Sequence, residues 1–135
     1  MKIAVKVFAA LSVGLLLLNL LGCADEHKLL SIDVSPQNTT ITGAGLNLQF
    51  TAIGHYVHPL EDKDITSTVV WASSTDQIIS FATPSQPGLA TSGLGCGTNL
   101  QISASVYKDP AKPSNGSVIS GIATVNVQQP GTTCP

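Results

Sequence analysis

Residues 99–106 read Asn-Leu-Gln-Ile-Ser-Ala-Ser-Val, in which polar and apolar side chains alternate without interruption. A period of two predicts a β-strand with one buried face and one solvated face. Residues 121–128 repeat the pattern, with Ala123, Val125 and Val127 on the expected inner face. These two segments predict an antiparallel hairpin at the centre of a β-sheet protein.

The rest of the chain extends the same pattern, because alternating runs recur between turn signals and no stretch keeps a helical period. Eight prolines and twelve glycines fall mostly between these runs. The expected fold is an all-β, immunoglobulin-like antiparallel β-sandwich of about seven strands. The other predicted strands lie at 30–34, with Leu30, Ile32 and Val34 inward, at 46–53 and 68–73, and as shorter segments at 39–42, 77–82 and 89–94.

The first 23 of the 135 residues have a different composition, with Lys2 and Lys6 followed by a leucine-rich apolar run. A charged start, a short apolar stretch and a small residue before the cut are typical of an export signal. The run is short for a membrane-spanning helix, and polar residues of both charge signs follow it. We therefore expect residues 1–22 to be a signal peptide that is removed.

The end of that segment, Leu20-Leu21-Gly22-Cys23, resembles the lipobox of bacterial lipoproteins. The resemblance implies that Cys23 carries lipid and begins the mature chain, since only a thiol can form the thioether. It also implies that the chain is anchored to a membrane of the cell envelope. In this family an aspartate directly after the cysteine retains the protein in the inner membrane. Since Ala24 stands there instead, the outer membrane is favoured where there are two membranes. Residues 23–28 form a linker of at most about 20 Å, so we expect the domain to lie close to its membrane.

The chain without residues 1–22 is acidic, with four lysines, no arginine and eight acidic residues. This balance argues against binding to the phosphate backbone, so we expect no nucleic-acid partner. The expected partners are the membrane, through the lipid anchor, and an envelope protein or polysaccharide.

Several segments between residues 29 and 128 together resemble the bacterial immunoglobulin-like group 2 (BIG2) domain. They include Leu30-Ser31-Ile32-Asp33-Val34-Ser35-Pro36, Leu48-Gln49-Phe50-Thr51-Ala52, Val69-Val70-Trp71-Ala72-Ser73-Ser74, Gly88-Leu89-Ala90-Thr91, Ile102-Ser103-Ala104 and Ala123-Thr124-Val125-Asn126-Val127. The resemblance implies a sandwich found in adhesins and in spacers of surface proteins, with no shared catalytic residues. Residues 129–135 would then be a C-terminal tail, and the stretch 107–120 is longer than the family's usual hairpin.

Two aromatic side chains are expected in the core of this sandwich. Trp71 is the only tryptophan, and on the third main predicted strand of an immunoglobulin-like sandwich that position packs between the sheets. Phe50 falls on the inner face of the alternating run that contains it. The second main predicted strand, at 46–53, carries no cysteine, so the inter-sheet disulfide of antibody domains cannot form here.

Cys96 and Cys134 are the cysteines that remain beside Cys23, and an even count in an exported chain permits a disulfide. In the expected hairpin, the start of the first strand lies beside the end of the second, which brings the two thiols together. A bond across 38 residues would stabilise the fold by about 4 kcal/mol. A metal site with a histidine is the alternative, although no C-x-x-C spacing supports it.

One cluster of side chains has the composition of a metal site. His55, His58, Glu61, Asp62 and Asp64 fall within ten residues, and imidazoles with carboxylates suit zinc or a similar divalent metal. The candidate ligands are His55, His58, Asp62 and Asp64. The alternative is a solvated polar loop at the edge of the sandwich.

We expect no enzymatic activity and no catalytic residues. No G-x-S-x-G motif is present, and the glycine-rich segment 93–97 precedes a strand instead of the helix that phosphate binding needs. Two functions therefore stay open: a lipid-anchored structural or binding module, with adhesion among its roles, and a metal-binding or accessory subunit of an envelope or secretion complex that uses residues 55–64.

Overall fold

The computed structural model describes residues 27–81, 85–108 and 117–134, and these residues form ten β-strands and no helix. The predicted all-β sandwich is confirmed, with ten strands instead of about seven, because the run at 46–53 divides into two strands and the charged stretch 61–64 adds another. The strands are β1 (Lys28–Ser35), β2 (Thr39–Thr42), β3 (Asn47–Gln49), β4 (Thr51–Val57), β5 (Glu61–Asp64), β6 (Val70–Ser73), β7 (Ile79–Phe81), β8 (Leu89–Ser92), β9 (Gly97–Tyr107) and β10 (Val118–Gln128).

The strands form three sheets with the orders β1-β4-β5, β2-β10-β9-β6 and β3-β8-β7. Because β3 and β4 are separated by Phe50 alone, the chain passes directly from one three-stranded sheet to the other. The pairs are antiparallel except for β2 and β10, which run in parallel from Thr39 beside Val125 to Thr42 beside Gln128. The first part of the chain is therefore divided between sheets, with β1 on β4 and β2 on β10.

Among the described residues, the hairpin of β9 and β10 is the longest strand pairing, and it confirms the prediction from residues 99–106. Both strands have eleven residues, and β10 begins at Val118, three residues before the predicted start. The inner face of β10 is buried as predicted, with Ala123, Val125 and Val127 at most 1% exposed. Most of the long stretch between the two strands, residues 109–116, lies outside the described residues.

A single apolar core joins the three sheets. Burial of these side chains is the main favourable contribution to folding in a protein of this size. The buried members are Ile32, Val34, Ile41, Phe50, Ala52, Ile65, Val69, Ile79, Ala90, Leu100, Ile102, Ala104, Ala123, Val125 and Val127.

The prediction for Leu30 is wrong, since its side chain is 54% exposed and Leu29 packs against the core instead. The register between β1 and β4 shifts between Leu29 and Ser31, which marks a β-bulge. One extra residue in a strand reverses the facing of every residue before it. The inward pattern of Ile32 and Val34 is confirmed, and the bulge explains why it does not continue to Leu30.

The alternative prediction of a polar loop at residues 55–64 is also wrong, because most of these residues belong to paired strands. In β4 and β5, His55 lies opposite Asp62 and Tyr56 opposite Glu61, with a turn at 58–60 between the strands. All four residues of β5 are charged and exposed. Charged side chains are common on edge strands, where they discourage pairing with another chain.

Gly121 lies at a close approach between β1 and β10. A Cβ atom at this position would be 2.3 Å from the backbone oxygen of Ile32. Only glycine allows two strands to approach in this way. The contact fixes the alignment of β1 along β10.

The predicted signal peptide, residues 1–22, and the predicted lipidation site Cys23 lie outside the described residues. Strand β1 begins at Lys28, one residue before the predicted domain start, and β10 ends at Gln128 as the domain boundary predicts. The described part of the tail, residues 129–134, folds back towards the start of β9 through Cys134.

Candidate functional site

His55 lies on the central strand β4, between carboxylates from both neighbouring strands. Its Nδ1 is 2.6 Å from Oδ1 of Asp62 on β5, and its Nε2 is 3.0 Å from Oδ2 of Asp33 on β1. The imidazole is about one-third exposed, and both carboxylates are largely exposed. When both ring nitrogens carry a proton, each donates to one carboxylate, so the pair of contacts favours the imidazolium form.

This arrangement raises the pKa of His55 above its usual value, first through the hydrogen bond with Asp62 and then through the one with Asp33. A hydrogen bond to the charged form of a group stabilises that form. The site therefore holds a proton more firmly than an isolated histidine does. It also occupies both ring nitrogens, and a metal ion would have to displace one of these protons to bind there.

The other two predicted metal ligands are engaged or placed elsewhere. Asp64 accepts a hydrogen bond from the backbone N–H of Thr66 at 2.8 Å, and contacts with Thr66 hold the pKa of Asp64 below its usual value. His58 lies in the turn after β4 with a positive φ of 61°. The geometry thus joins His55 and Asp62 and does not bring His58 and Asp64 to them.

Over the described ranges, no three side chains of His, Cys, Asp or Glu are grouped so as to hold a metal ion. The four-residue metal site therefore has no support from the geometry. Glu61, which belongs to the same stretch of sequence, lies 3.7 Å from Nε2 of His27. His27 also lies beside Tyr56, with 5.9 Å between the ring centres. These contacts join the start of the described chain to the β4–β5 hairpin.

Asp33 is the member of the His55 site that sequence reasoning missed. It is far from residues 55–64 in the sequence and reaches His55 only because β1 pairs with β4. Alternation does place Asp33 on the outer face of its strand, where a partner on the neighbouring strand could be sought. The identity of that partner depends on the register between β1 and β4, which local alternation does not specify.

Cys96 and Cys134 form a disulfide with a Cα–Cα distance of 5.4 Å, which confirms the predicted pairing. Gly97 lies opposite Val127, so the start of β9 is adjacent to the end of β10 as expected. The disulfide fastens the described part of the tail to that hairpin. The side-chain amide of Gln129 adds two hydrogen bonds, to the backbone oxygens of Gly93 and Gly95.

The two predicted core aromatic residues belong to one aromatic group. Phe50 is fully buried, while Trp71 is half-buried and packs against Phe50 and Phe81 at ring-centre distances of 6.1 and 5.4 Å. The indole N–H of Trp71 donates to the backbone oxygen of Thr66 at 3.0 Å. A buried indole commonly requires such a polar partner. The indole is thus held in place from both its apolar and its polar side.

The outer face of the four-stranded sheet differs in charge from the His55 region. Strands β2, β6, β9 and β10 contain no charged residue. Ser103 and Ser105 lie between the exposed apolar side chains of Val70 and Ile122, as the register places Ser105 opposite Val70 and Ser103 opposite Ile122. This neutral face presents hydroxyl groups and apolar groups side by side.

Among the residues that the structure describes, no helix is long and apolar enough to cross a membrane. Comparison with models of known protein families finds no match for this chain, and a search of curated proteins finds none either.

Proposed function

We propose that this chain is a non-enzymatic bacterial lipoprotein, anchored to a membrane of the cell envelope through lipid on Cys23, with one BIG2-like domain that serves as a structural or binding module. The use of its three cysteines is the observation that carries the proposal. Cys96 and Cys134 bond to each other, which leaves Cys23 as the one cysteine outside that bond. That cysteine ends a lipobox-like sequence after a signal-type segment.

The disulfide supports an exported location, because such bonds form and persist in oxidising compartments. The division of the early strands between two sheets, with β1 on β4 and β2 parallel to β10, supports the immunoglobulin-like arrangement. The position of Trp71 against Phe50 and Phe81 supports it as well. These features favour a compact module of the BIG2 kind.

The neutral outer face of the four-stranded sheet supports a binding role for the module. The hydroxyl groups of Ser103 and Ser105 donate to backbone oxygens of β6 and can still accept hydrogen bonds from a polysaccharide or a protein. Val70 and Ile122 offer apolar contact area beside them. Because no charged residue lies in these four strands, a partner of either kind meets no ionic repulsion there. The proposed partner is an envelope protein or polysaccharide within reach of the anchored domain.

Metabolic labelling tests the anchor directly. The full chain is expressed in a bacterium that is supplied with an alkyne-bearing fatty acid, and the label is detected after treatment with hydroxylamine, which removes thioester-linked acyl groups only. We expect the wild-type chain to keep its label and to sediment with membranes. Cys23→Ser should carry no label.

A matched control separates Cys23 from the other cysteines. The double variant Cys96→Ser, Cys134→Ser keeps Cys23 as its only cysteine, so we expect it to be labelled as strongly as the wild type. Equal labelling of the Cys23→Ser variant and the wild type would refute the proposed anchor. Loss of label in the double variant would equally contradict the assignment of lipid to Cys23.

A further inference from the structure

One end of the sandwich contains the start of β1, the β4–β5 turn and the end of the β9–β10 hairpin at which the chain passes from β9 to β10. Lys28 lies opposite Val57, the residue before that turn. Strand β1 follows the direction of β10, since Ile32 adjoins Gly121 and, further on, Thr39 pairs in parallel with Val125. Lys28 is four residues before Ile32, and Val118 is three residues before Gly121. The two strands therefore begin at about the same height in the sandwich.

This end presents exposed apolar side chains that pack against nothing in the core. Leu60, in the β4–β5 turn, is 89% exposed, and Tyr107 and Val118 are each about half exposed where β9 ends and β10 begins. Lys28 and Lys108 flank them. We call the surface formed by Lys28, Leu60, Tyr107, Lys108 and Val118 the basal surface. A mixture of aliphatic, tyrosine and lysine side chains suits the boundary between lipid headgroups and acyl chains.

The lysines of the described residues are all on the basal half of the sandwich. Lys28 and Lys108 belong to the basal surface, and Lys63 lies on β5, which begins directly after the basal turn. The opposite end has no lysine among its described residues. Of the nearby carboxylates, Asp33 and Asp62 are engaged with His55 on the outer face of the sheet, and Glu61 lies 3.7 Å from His27. The ammonium groups that this end offers to lipid phosphates are therefore those of Lys28 and Lys108, with Glu61, next to Leu60, as an exposed acidic neighbour.

The length of chain before the described residues determines what the basal surface can meet. His27, the first described residue, follows Cys23 by four positions, which span at most about 14 Å when extended. Lipid on Cys23 would hold this end of the sandwich, and not the other, against the headgroup layer. The opposite end is separated from it by the eleven-residue length of β9, about 33 Å.

We propose that the basal surface docks on the lipid headgroups, so that the sandwich stands on the membrane with its β1 end down and its disulfide end away from the bilayer. The proposal rests on the lipid anchor at Cys23. It adds a fixed orientation, in which Leu60 and Tyr107 enter the headgroup layer and Lys28 and Lys108 meet lipid phosphates. The neutral face of the four-stranded sheet would then stand upright and open to a partner.

Two leucines provide matched probes of this orientation. Leu60 on the basal surface is 89% exposed, and Leu94, beside the disulfide at the opposite end, is 90% exposed. Hydroxyl radicals should therefore oxidise both equally in the absence of a membrane. The full chain is expressed and processed in a bacterium, purified, and reconstituted into vesicles of phosphatidylethanolamine and phosphatidylglycerol. Oxidation at each leucine is then measured by peptide mass spectrometry.

We expect about fivefold less oxidation at Leu60 than at Leu94 in vesicles, because burial in the headgroup layer excludes the radical. A double variant, Leu60→Asp with Tyr107→Asp, should raise oxidation at Val118 in vesicles to the level that Val118 shows without vesicles. The matched variant Leu94→Asp should leave Val118 protected. All three substituted positions, Leu60, Leu94 and Tyr107, are exposed. Formation of the Cys96–Cys134 bond is the check that each variant folds.

The outcomes separate docking from anchoring. Protein that floats with the vesicles and is oxidised equally at Leu60 and Leu94 overturns the docking and leaves the anchor intact. Protein that fails to float overturns the anchor and the docking together. Protection of Leu60 in whole envelopes but not in vesicles also overturns the docking, since it assigns the basal surface to a protein partner.

Discussion

Replacing Gly121 by alanine tests the close approach of β10 to β1. The added Cβ would lie 2.3 Å from the backbone oxygen of Ile32, while ordinary contacts of this kind are 3.4 Å or longer, so the strands must separate by about 1 Å. No side-chain rotation can relieve a contact with backbone. Strand β10 is also held on both sides, by β9 and β2, so it cannot move without loss of hydrogen bonds to a neighbour.

The expected cost is about 2 kcal/mol in the free energy of unfolding. Overpacking of this kind costs about 1–3 kcal/mol, and the lower flexibility of alanine in the unfolded chain offsets less than about 1 kcal/mol of it. For a domain of this size, the midpoint of thermal unfolding should fall by about 8 °C. Urea unfolding of the chain from residue 24 onward, followed by the fluorescence of the single tryptophan, measures the change.

Gly95→Ala is the matched control for this experiment. A Cβ at Gly95 would meet one side-chain atom of Ile78 at 3.0 Å and otherwise nothing closer than 3.9 Å, and that side chain can move. We expect a loss below about 1 kcal/mol for this variant. If Gly121→Ala unfolds within 0.5 kcal/mol of the wild type, roughly the scatter of ordinary surface substitutions, the backbone contact with Ile32 does not limit the fold.

Three further predictions concern bonds within the domain. Replacing Cys96 and Cys134 by serine should lower the free energy of unfolding by about 4 kcal/mol, and alkylation of both thiols in unreduced wild-type protein would contradict the disulfide. Because the pKa of His55 is raised in the folded state, its stabilising contribution should be present in full below pH 6.5 and lost as pH rises through the folded pKa. NMR titration of wild type and Asp62→Asn checks this, and an unchanged pKa in the variant would exclude Asp62 as the main cause. Trp71→Phe should cost about 1–2 kcal/mol, measured by circular dichroism, because a backbone carbonyl loses the indole donor; no loss would show that this hydrogen bond adds nothing net.

Local alternation was sufficient to predict the β9–β10 hairpin and the disulfide that depends on it. Each inward residue of β10 follows from a period of two, and antiparallel pairing of consecutive segments brings Cys96 to Cys134. The same reasoning failed at Leu30, because a bulge depends on pairing with another strand and leaves no mark in local hydrophobicity. It also underestimated β5, whose four charged residues have low strand propensity and pair only because β4 lies beside them.

The sequence predicts only part of the His55 site, because it identifies Asp62 as a neighbour of His55 but not Asp33. The sequence groups His55 with Asp62 only by their chemistry and their nearness in the chain, and the β4–β5 hairpin is what brings the two side chains into contact. Asp33 comes from a different strand, so its contact with His55 required the register between β1 and β4. His58 and Asp64 were selected for their chemistry and their proximity in sequence. The turn and Thr66 place them elsewhere.

The parallel pairing of β2 with β10 has a mechanical consequence. The described chain enters the sandwich at the basal end, and its last strand finishes at the opposite end beside the disulfide. A pull between the chain before β1 and the end of β10 would load the pairs from Thr39 and Val125 to Thr42 and Gln128 in shear. In that geometry the hydrogen bonds share the force and must break together, whereas a hairpin pulled from its open end unzips one bond at a time. The topology thus suits a domain that stays folded under tension.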